Sequence, residues 1–262
     1  MRQKEIAVYN AWAGGKKKDT DQHKDAIKRF ESEIAKMSQT LTVDIGLFGR
    51  MTTSDLVVNV EAACQVAHAI STHETMIESD YFTAMDDRKR DFAPSQTEQV
   101  RAAFLSSGTF FDAAVYYKYL NLDMDALQQH LSWEVNDAVK AARILVEAAA
   151  LVNPTGKQNS FASHGIPALM LLEVSKKKRP ISYANAFLRP VEGHDLMAES
   201  AKALRDYVQG EAAAFVPPDM KRVLLARGSA SVDIKDASHV DTLDGKDGLL
   251  DSFEKMLVGS AA

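Results

Sequence analysis

The sequence predicts an α+β fold. Three observations carry that expectation: short branched or alternating runs that read as strands, amphipathic helices between them with apolar stripes at helical spacing, and hairpin-like returns of strand upon strand, which a doubly wound sheet would not show. The chain has 262 residues, 46% hydrophobic and 26% charged. Those proportions argue against a disordered, collagen-like or membrane class and leave one domain or two closely joined lobes.

In chain order, His23 to Met37 carries Ile27, Phe30, Ile34 and Met37 at helical spacing behind possible caps at Asp19, Thr20 and Asp21, and is expected to form an amphipathic helix. Val43 to Phe48 is short and branched, and is read as a strand ended by Gly49. Ala63 to His73 is read as a strand with Cys64, Val66, His68, Ile70 and Thr72 on one face and small residues on the other. Glu74 to Ser107 keeps no clean period, contains Pro94 and mixes charge with Tyr81, Phe82 and Phe92, so it reads as a long excursion of the kind that carries function. Thr109 to Leu120 follows as a long strand.

Asp125 to Leu131 is expected to be a short helix and Trp133 to Val152 a long one, its stripe made of Val135, Val139, Ala142, Leu145, Val146 and Ala149. Asn153-Pro154-Thr155-Gly156 ends it. Ala168 to Val174 is a continuous apolar run, as in a central strand. Beyond a basic turn come a short segment at Ile181 to Phe187, a helix over Leu196 to Val208, a second helix over Pro218 to Ala226 and a strand over Gly228 to Ile234. A closing helix is marked by Leu249, Leu250, Phe253 and Leu257.

Charge is unevenly placed. The net charge is −5, but residues 233–255 hold seven acids and three lysines, so the preceding chain is close to neutral. Lys16-Lys17-Lys18, Arg88-Lys89-Arg90 and Lys176-Lys177-Lys178-Arg179 are basic clusters, each read first as a solvated loop. Cys64 is the single cysteine, which excludes an intrachain disulfide and a thiolate zinc site. No apolar run approaches the ~18 residues of a membrane span, and the first residues lack the apolar core of a signal peptide. The expected location is cytoplasmic, away from any membrane.

Catalytic patterns fail one after another. His68 and His73 are five apart, which places them on opposite faces of a strand and well apart around a helix, so they share no metal. Thr155-Gly156-Lys157-Gln158 lacks both the earlier glycine and the Ser or Thr of a nucleotide triphosphate loop. Asp86 and Asp87 are adjacent and point apart, and Ser71, Ser106 and Ser107 lie in no nucleophile elbow. No catalytic residue, metal or cofactor is expected.

Three ordered blocks nevertheless form a pattern: Val43-Asp44-Ile45-Gly46-Leu47-Phe48-Gly49-Arg50-Met51, then Glu61 to His73 (EAACQVAHAISTH), then Asp80-Tyr81-Phe82-Thr83-Ala84-Met85-Asp86-Asp87. Later stretches agree: Ser106-Ser107-Gly108-Thr109-Phe110, Gly156-Lys157-Gln158-Asn159-Ser160-Phe161 and Ser182-Tyr183-Ala184-Asn185-Ala186-Phe187. From about Thr42 to Tyr207 the chain resembles the repeated backbone subunit of type I-E CRISPR Cascade.

The resemblance implies a protein without enzymatic activity that polymerises along a CRISPR guide RNA and displaces nucleotides at regular intervals, so that target DNA pairs in short segments. It implies a modified ferredoxin-like, RNA-recognition-type palm over residues 42–262, a β-hairpin thumb at about 74–107, and a remnant of a helical finger region over residues 1–41. The implied partners are guide RNA, the target DNA strand, other Cascade subunits and copies of the chain itself in a helical filament. Tyr81 and Phe82 would wedge beside an unstacked base, a grip that tolerates any sequence. Thr83 would donate to phosphate or sugar, Arg50 would bind phosphate, and Met51 would prop a kinked base. Lys157, Gln158 and Asn159 would reach RNA from a loop before a strand.

Family members normally begin with a palm strand and a guide-contacting segment ahead of the finger helices, whereas this chain starts near the last of those helices. A truncated member, or one completed by another chain, is therefore expected. The competing readings are an assembly element that docks on Cascade proteins without gripping RNA, and a hydrolase using His68, His73, Asp86 or Asp87.

Overall fold

A computed structural model describes residues 28–33, 41–53, 57–80, 83–85, 102–105, 109–132, 134–240 and 244–261. The fold is mixed α and β. Residues 28–33 are helical, within the helix expected over His23 to Met37, whose remaining residues lie outside those described.

The body is organised by a three-stranded sheet. Strand β9 (Leu169–Val174) runs antiparallel to β10 (Lys221–Ala226), and β11 (Ala237–His239) joins the other side of β10 in parallel, giving the order β11-β10-β9. Alternation along β10 separates two cores. Val223 and Leu225 face helices α3 (Val135–Leu151) and α6 (Gly245–Ala261) in a cluster with Val139, Ala142, Val146, Leu249, Leu250, Phe253 and Leu257. Leu224, between them, faces the opposite way into Tyr183, Leu204, Val208 and Ile234, beneath helix α5 (Leu196–Gln209). A sheet covered on both faces tolerates near-continuous hydrophobicity, as in the run Leu169 to Leu172.

The tail's acidity helps to hold α6 on α3. Arg143 binds Asp251 at 2.6 Å and Glu254 at 3.2 Å, and Lys246 pairs with Glu147. A third core joins helix α1 (Val43–Phe48), helix α2 (Met124–Leu131), Ala63, Cys64 and the inner side of α3 at Ala138, Ala141 and Leu145. Asp123 caps α2 by accepting from the Ala126 N–H at 3.0 Å.

From this base rises a long antiparallel ribbon. Strands β1 (Cys64–Val66), β2 (Ile70–Ser71), β3 (Glu78–Asp80) and β4 (Thr83–Met85) pair in nested order with β8 (Leu120–Leu122), β7 (Tyr116–Tyr117), β6 (Thr109–Phe111) and β5 (Ala102–Leu105). The register runs from Cys64 opposite Leu122 at the base to Met85 opposite Ala102.

Several expectations change. Val43 to Phe48 is a helix, because Val43 and Leu47, four apart, both face the third core and the Gly46 N–H donates to Thr42 O at 3.0 Å. The long strands expected over Ala63 to His73 and Thr109 to Leu120 are broken into shorter pieces, with irregular residues between them. Their simple two-face alternation fails: Cys64 and Thr72 are buried while Val66 and Ile70 are exposed. Pro218 to Ala226 contains β10, not a helix, because Lys221 to Ala226 completes the sheet. Gly228 to Ala230 is a short 3-10 turn, and the strand comes later, at Ala237. Strand β10, not β9, is central among the described strands.

Candidate nucleic-acid interface

The predicted site residues divide into three groups by position. Arg50 and Met51 lie at the base of the ribbon, next to its first strand. Gly49 enters this turn at φ +78°, where a Cβ would meet the Val60 carbonyl oxygen at 2.8 Å, and its N–H donates to Ile45 O at 2.8 Å. Only glycine takes that approach at low cost. Arg50 then bridges Val60 through the backbone, and its Nε and Nη2 donate to the Val58 carbonyl at 3.1 and 2.9 Å. Part of the guanidinium thus braces the loop that presents Met51. Met51 is 93% exposed, which leaves its flexible thioether side chain facing solvent.

Lys157, Gln158 and Asn159 form the second group. They belong not to an open loop but to a single helical turn, α4 (Gln158–Phe161), bounded by left-handed residues Lys157 at φ 55° and Ala162 at φ 45°. The Gln158 amide ties the turn to itself: its Oε1 accepts from the Ser163 N–H at 3.0 Å and its Nε2 donates to Ser163 O at 3.4 Å. Lys157 and Asn159 are exposed. Phe161 stacks at 5.2 Å on Phe111 of β6, so this turn sits beside the middle of the ribbon.

The third group is on the ribbon itself. Thr83 begins β4, opposite Leu105. Tyr81 and Phe82, between β3 and β4, lie outside the described residues, as do Asp86 and Asp87. The structure therefore connects the second group to the ribbon directly and places the first at its foot. Among the described residues no contact joins all three.

Sequence reasoning missed the anchorage of the ribbon. Tyr117 of β7 packs its ring on Phe187 at 5.4 Å, and its hydroxyl accepts from the Tyr183 N–H at 3.0 Å. Tyr183 in turn donates to Glu173 Oε1 at 2.7 Å, and Arg222 donates to both Glu173, at 2.6 Å, and the Tyr183 hydroxyl, at 3.2 Å. Burial and the Glu173 carboxylate push the Tyr183 hydroxyl well above the ordinary tyrosine range. Thr72 is buried and bonds Val115 O at 3.2 Å and Ser200 Oγ at 2.8 Å, fastening β2 to α5. The Tyr-Ala-Asn-Ala-Phe stretch was the available signal for this anchor.

Exposed apolar side chains recur on the ribbon at Val66, Met76, Ile77, Phe110 and Tyr116. In the basic cluster, Lys178 is held by Asp123 at 2.9 Å and Asp125 at 3.2 Å, and Arg179 donates to Phe215 O at 3.4 Å. Among the described residues no three His, Cys, Asp or Glu side chains gather as a metal site, and no helix is long and apolar enough to cross a membrane. Beside these apolar groups the described ribbon exposes the acids Glu74, Glu78, Asp80 and Asp112, with the exposed Lys157 in the turn that packs against it.

A family model described as CT1975-like protein matches residues 2–251. No curated protein matches the chain in sequence. Among solved structures, a chain from a CRISPR RNA-guided surveillance complex in a pre-nicking state is similar with a TM-score of 0.66 and 24% identity, a likeness of fold. It covers 92% of this chain and 58% of that one, so the present chain spans little more than half its length. A chain from another CRISPR RNA-guided surveillance complex is similar at TM-score 0.65 and 27% identity, over 86% of this chain and 81% of that one.

Proposed function

The chain belongs to the CT1975-like protein family, and from that premise we propose that it is a guide-RNA-binding backbone subunit of a type I-E Cascade antiviral complex. It has no enzymatic role of its own. Copies polymerise along the guide RNA, and the ribbon of each, acting as the thumb of a ferredoxin-like palm, sets aside a nucleotide at intervals so that target DNA pairs in segments. The carrying observation is the similarity over 86% of the chain to a subunit of a CRISPR RNA-guided surveillance complex. The ribbon adds physical support, because a sequence-blind holder needs stacking and backbone contacts and leaves sequence to base pairing. Met51, Tyr81 and Phe82 supply apolar surface for bases in this reading, while Arg50, Thr83, Lys157, Gln158 and Asn159 supply polar contacts to phosphate and sugar.

A second reading keeps the assembly role and drops the RNA: the chain docks on the other subunits without gripping the guide. It is favoured by the local engagement of Gln158, whose amide is spent on Ser163.

The deciding experiment purifies the tagged chain from its own host, trims with nuclease and sequences the RNA retained. Protected fragments of uniform length that map to CRISPR spacers, accompanied by other Cascade subunits, are expected. Subunits that co-purify without protected RNA would replace the first reading with the second.

A further inference from the structure

We infer that His73 is a positioning residue whose neutral imidazole stands in for a strand carbonyl that the ribbon lends to the body, and so sets the direction in which the ribbon leaves it. Opposite residues in an antiparallel pair alternate between hydrogen-bonded and non-hydrogen-bonded positions, and at a hydrogen-bonded position, such as Thr72 and Val115, the two residues ordinarily exchange both of their N–H to carbonyl bonds. Thr72 and Val115 make only one: the Thr72 N–H donates to Val115 O at 2.9 Å. The Thr72 carbonyl is instead turned to the body, where it accepts from the Val191 N–H at 2.9 Å. The Val115 N–H is therefore deprived of its usual acceptor, and His73 Nε2 supplies one at 3.1 Å.

The tautomer follows from the partners. Nδ1 lies 2.7 Å from the Glu74 carbonyl oxygen and must donate to it, so Nε2 carries the lone pair that Val115 uses. A bend makes this reach possible, since Ser71 Oγ donates to His73 O at 2.6 Å and also lies 3.3 Å from the His73 N–H. On the inner side, Thr72, Ser200 and Tyr117 fasten the ribbon to α5 and to the Tyr183 anchor. On the outer side, no backbone bond joins residues 74–77 to 112–114 before pairing resumes at Glu78 opposite Phe111. The imidazole is the outermost bond to the ribbon backbone before that unpaired interval, and beyond it the Phe111–Phe161 contact is the next tie among the described residues, so the angle at which the ribbon departs depends on the imidazole as well as on that contact. The consequence for RNA rests on the guide-gripping reading; the positioning itself does not.

The test uses the full chain with spin labels on Ser79→Cys, in the outer ribbon, and Lys202→Cys, on α5, Cys64 being buried. In His73→Phe, which keeps a ring but offers no acceptor, the distance distribution is expected to shift or broaden, and amide exchange at Val115 to rise about tenfold. Exchange across β10 stays as in the parent. His73→Gln, whose Oε1 can accept from the same N–H, restores the parental distribution. Should His73→Phe fail to fold, His73→Leu carries the same comparison. An unchanged distribution without the acceptor, or an equal change in the glutamine and acceptor-free variants, overturns the assignment. Because no RNA is present, failure here leaves the guide-binding experiment to be decided separately.

Discussion

Lys157 is the cleanest test of a single side chain, because it is exposed, its backbone carbonyl is fixed in the turn by the Ser160 and Phe161 N–H groups, and its ammonium group has no partner among the described residues. If it meets a phosphate, Lys157→Ala lowers affinity for single-stranded RNA and reduces the slope of log affinity against log salt by about 0.7, with no change in melting temperature. An unchanged salt slope would remove it from the interface. Tyr183 makes a different prediction. Unfolded, its hydroxyl titrates near pH 10; folded, burial and Glu173 push it up. It contributes stability that is complete below about pH 10 and is lost as the pH rises toward the folded value. Tyr183→Phe should cost about 1–2 kcal/mol at neutral pH and flatten the alkaline decline, as measured by urea unfolding between pH 8 and 11. These two residues also mark what was legible: the lysine was read as a basic residue on a loop before a strand, whereas the tyrosine, though marked by the Tyr-Ala-Asn-Ala-Phe stretch, is held by Glu173 and Arg222 meeting across β9 and β10, a pairing no local pattern announces.

At the scale of elements, helices with several turns of consistent stripe were readable. Those around Val139, Leu204 and Leu250 fall at or close to the expected places, because burial on one face repeats often enough to outvote local preference. Short elements were not. Val43 to Phe48 has strand-like branching and only one helical contact pair, and Lys221 to Ala226 became a strand because β9 and β11 were there to receive it. The turn between α1 and the ribbon is expected to be intolerant: Gly49→Ala should destabilise by about 2–3 kcal/mol through its positive φ and the contact with Val60 O, while Gly156→Ala, with open space around it, serves as the neutral control. Thermal melts compare the two directly. On the ribbon, replacing Tyr81 and Phe82 together by alanine should weaken guide binding by about 5- to 150-fold per base stacked without altering the melt of the body. Unaltered binding would end the wedge role.

For the whole molecule, the body explains stability and the ribbon explains reach. Among the described residues the two-sided sheet and the α3–α6 pair hold most of the buried large apolar side chains, whereas the ribbon leaves many of its own uncovered. A part that spends little of its apolar surface on its own fold has that surface available for other molecules. The protein is accordingly expected to stay monomeric without RNA and to assemble in copies proportional to length on single-stranded RNA, which light scattering with RNAs of increasing length would read; a copy number independent of length would contradict the filament. The α+β class was visible in the sequence because it needs only the mixture of elements. The position of the ribbon's root at Cys64, ten residues before the expected start of the excursion, was not, because pairing partners lie too far along the chain for local reading.

The nesting of that pairing also dictates an order of events. Met85 and Ala102 are the partners least separated in sequence among the described pairs of the arm, while Cys64 and Leu122 are the most separated. Closing the outer loop from an open chain costs about 1 kcal/mol more in entropy than closing the inner one, but once the inner pair has met, each further pair closes only a few residues. The arm is therefore built to zip from its far end inward, and its seam with the body is the last part to be sewn. Substitutions beside Met85 should slow the arm's formation, whereas those beside Cys64 should chiefly hasten its release.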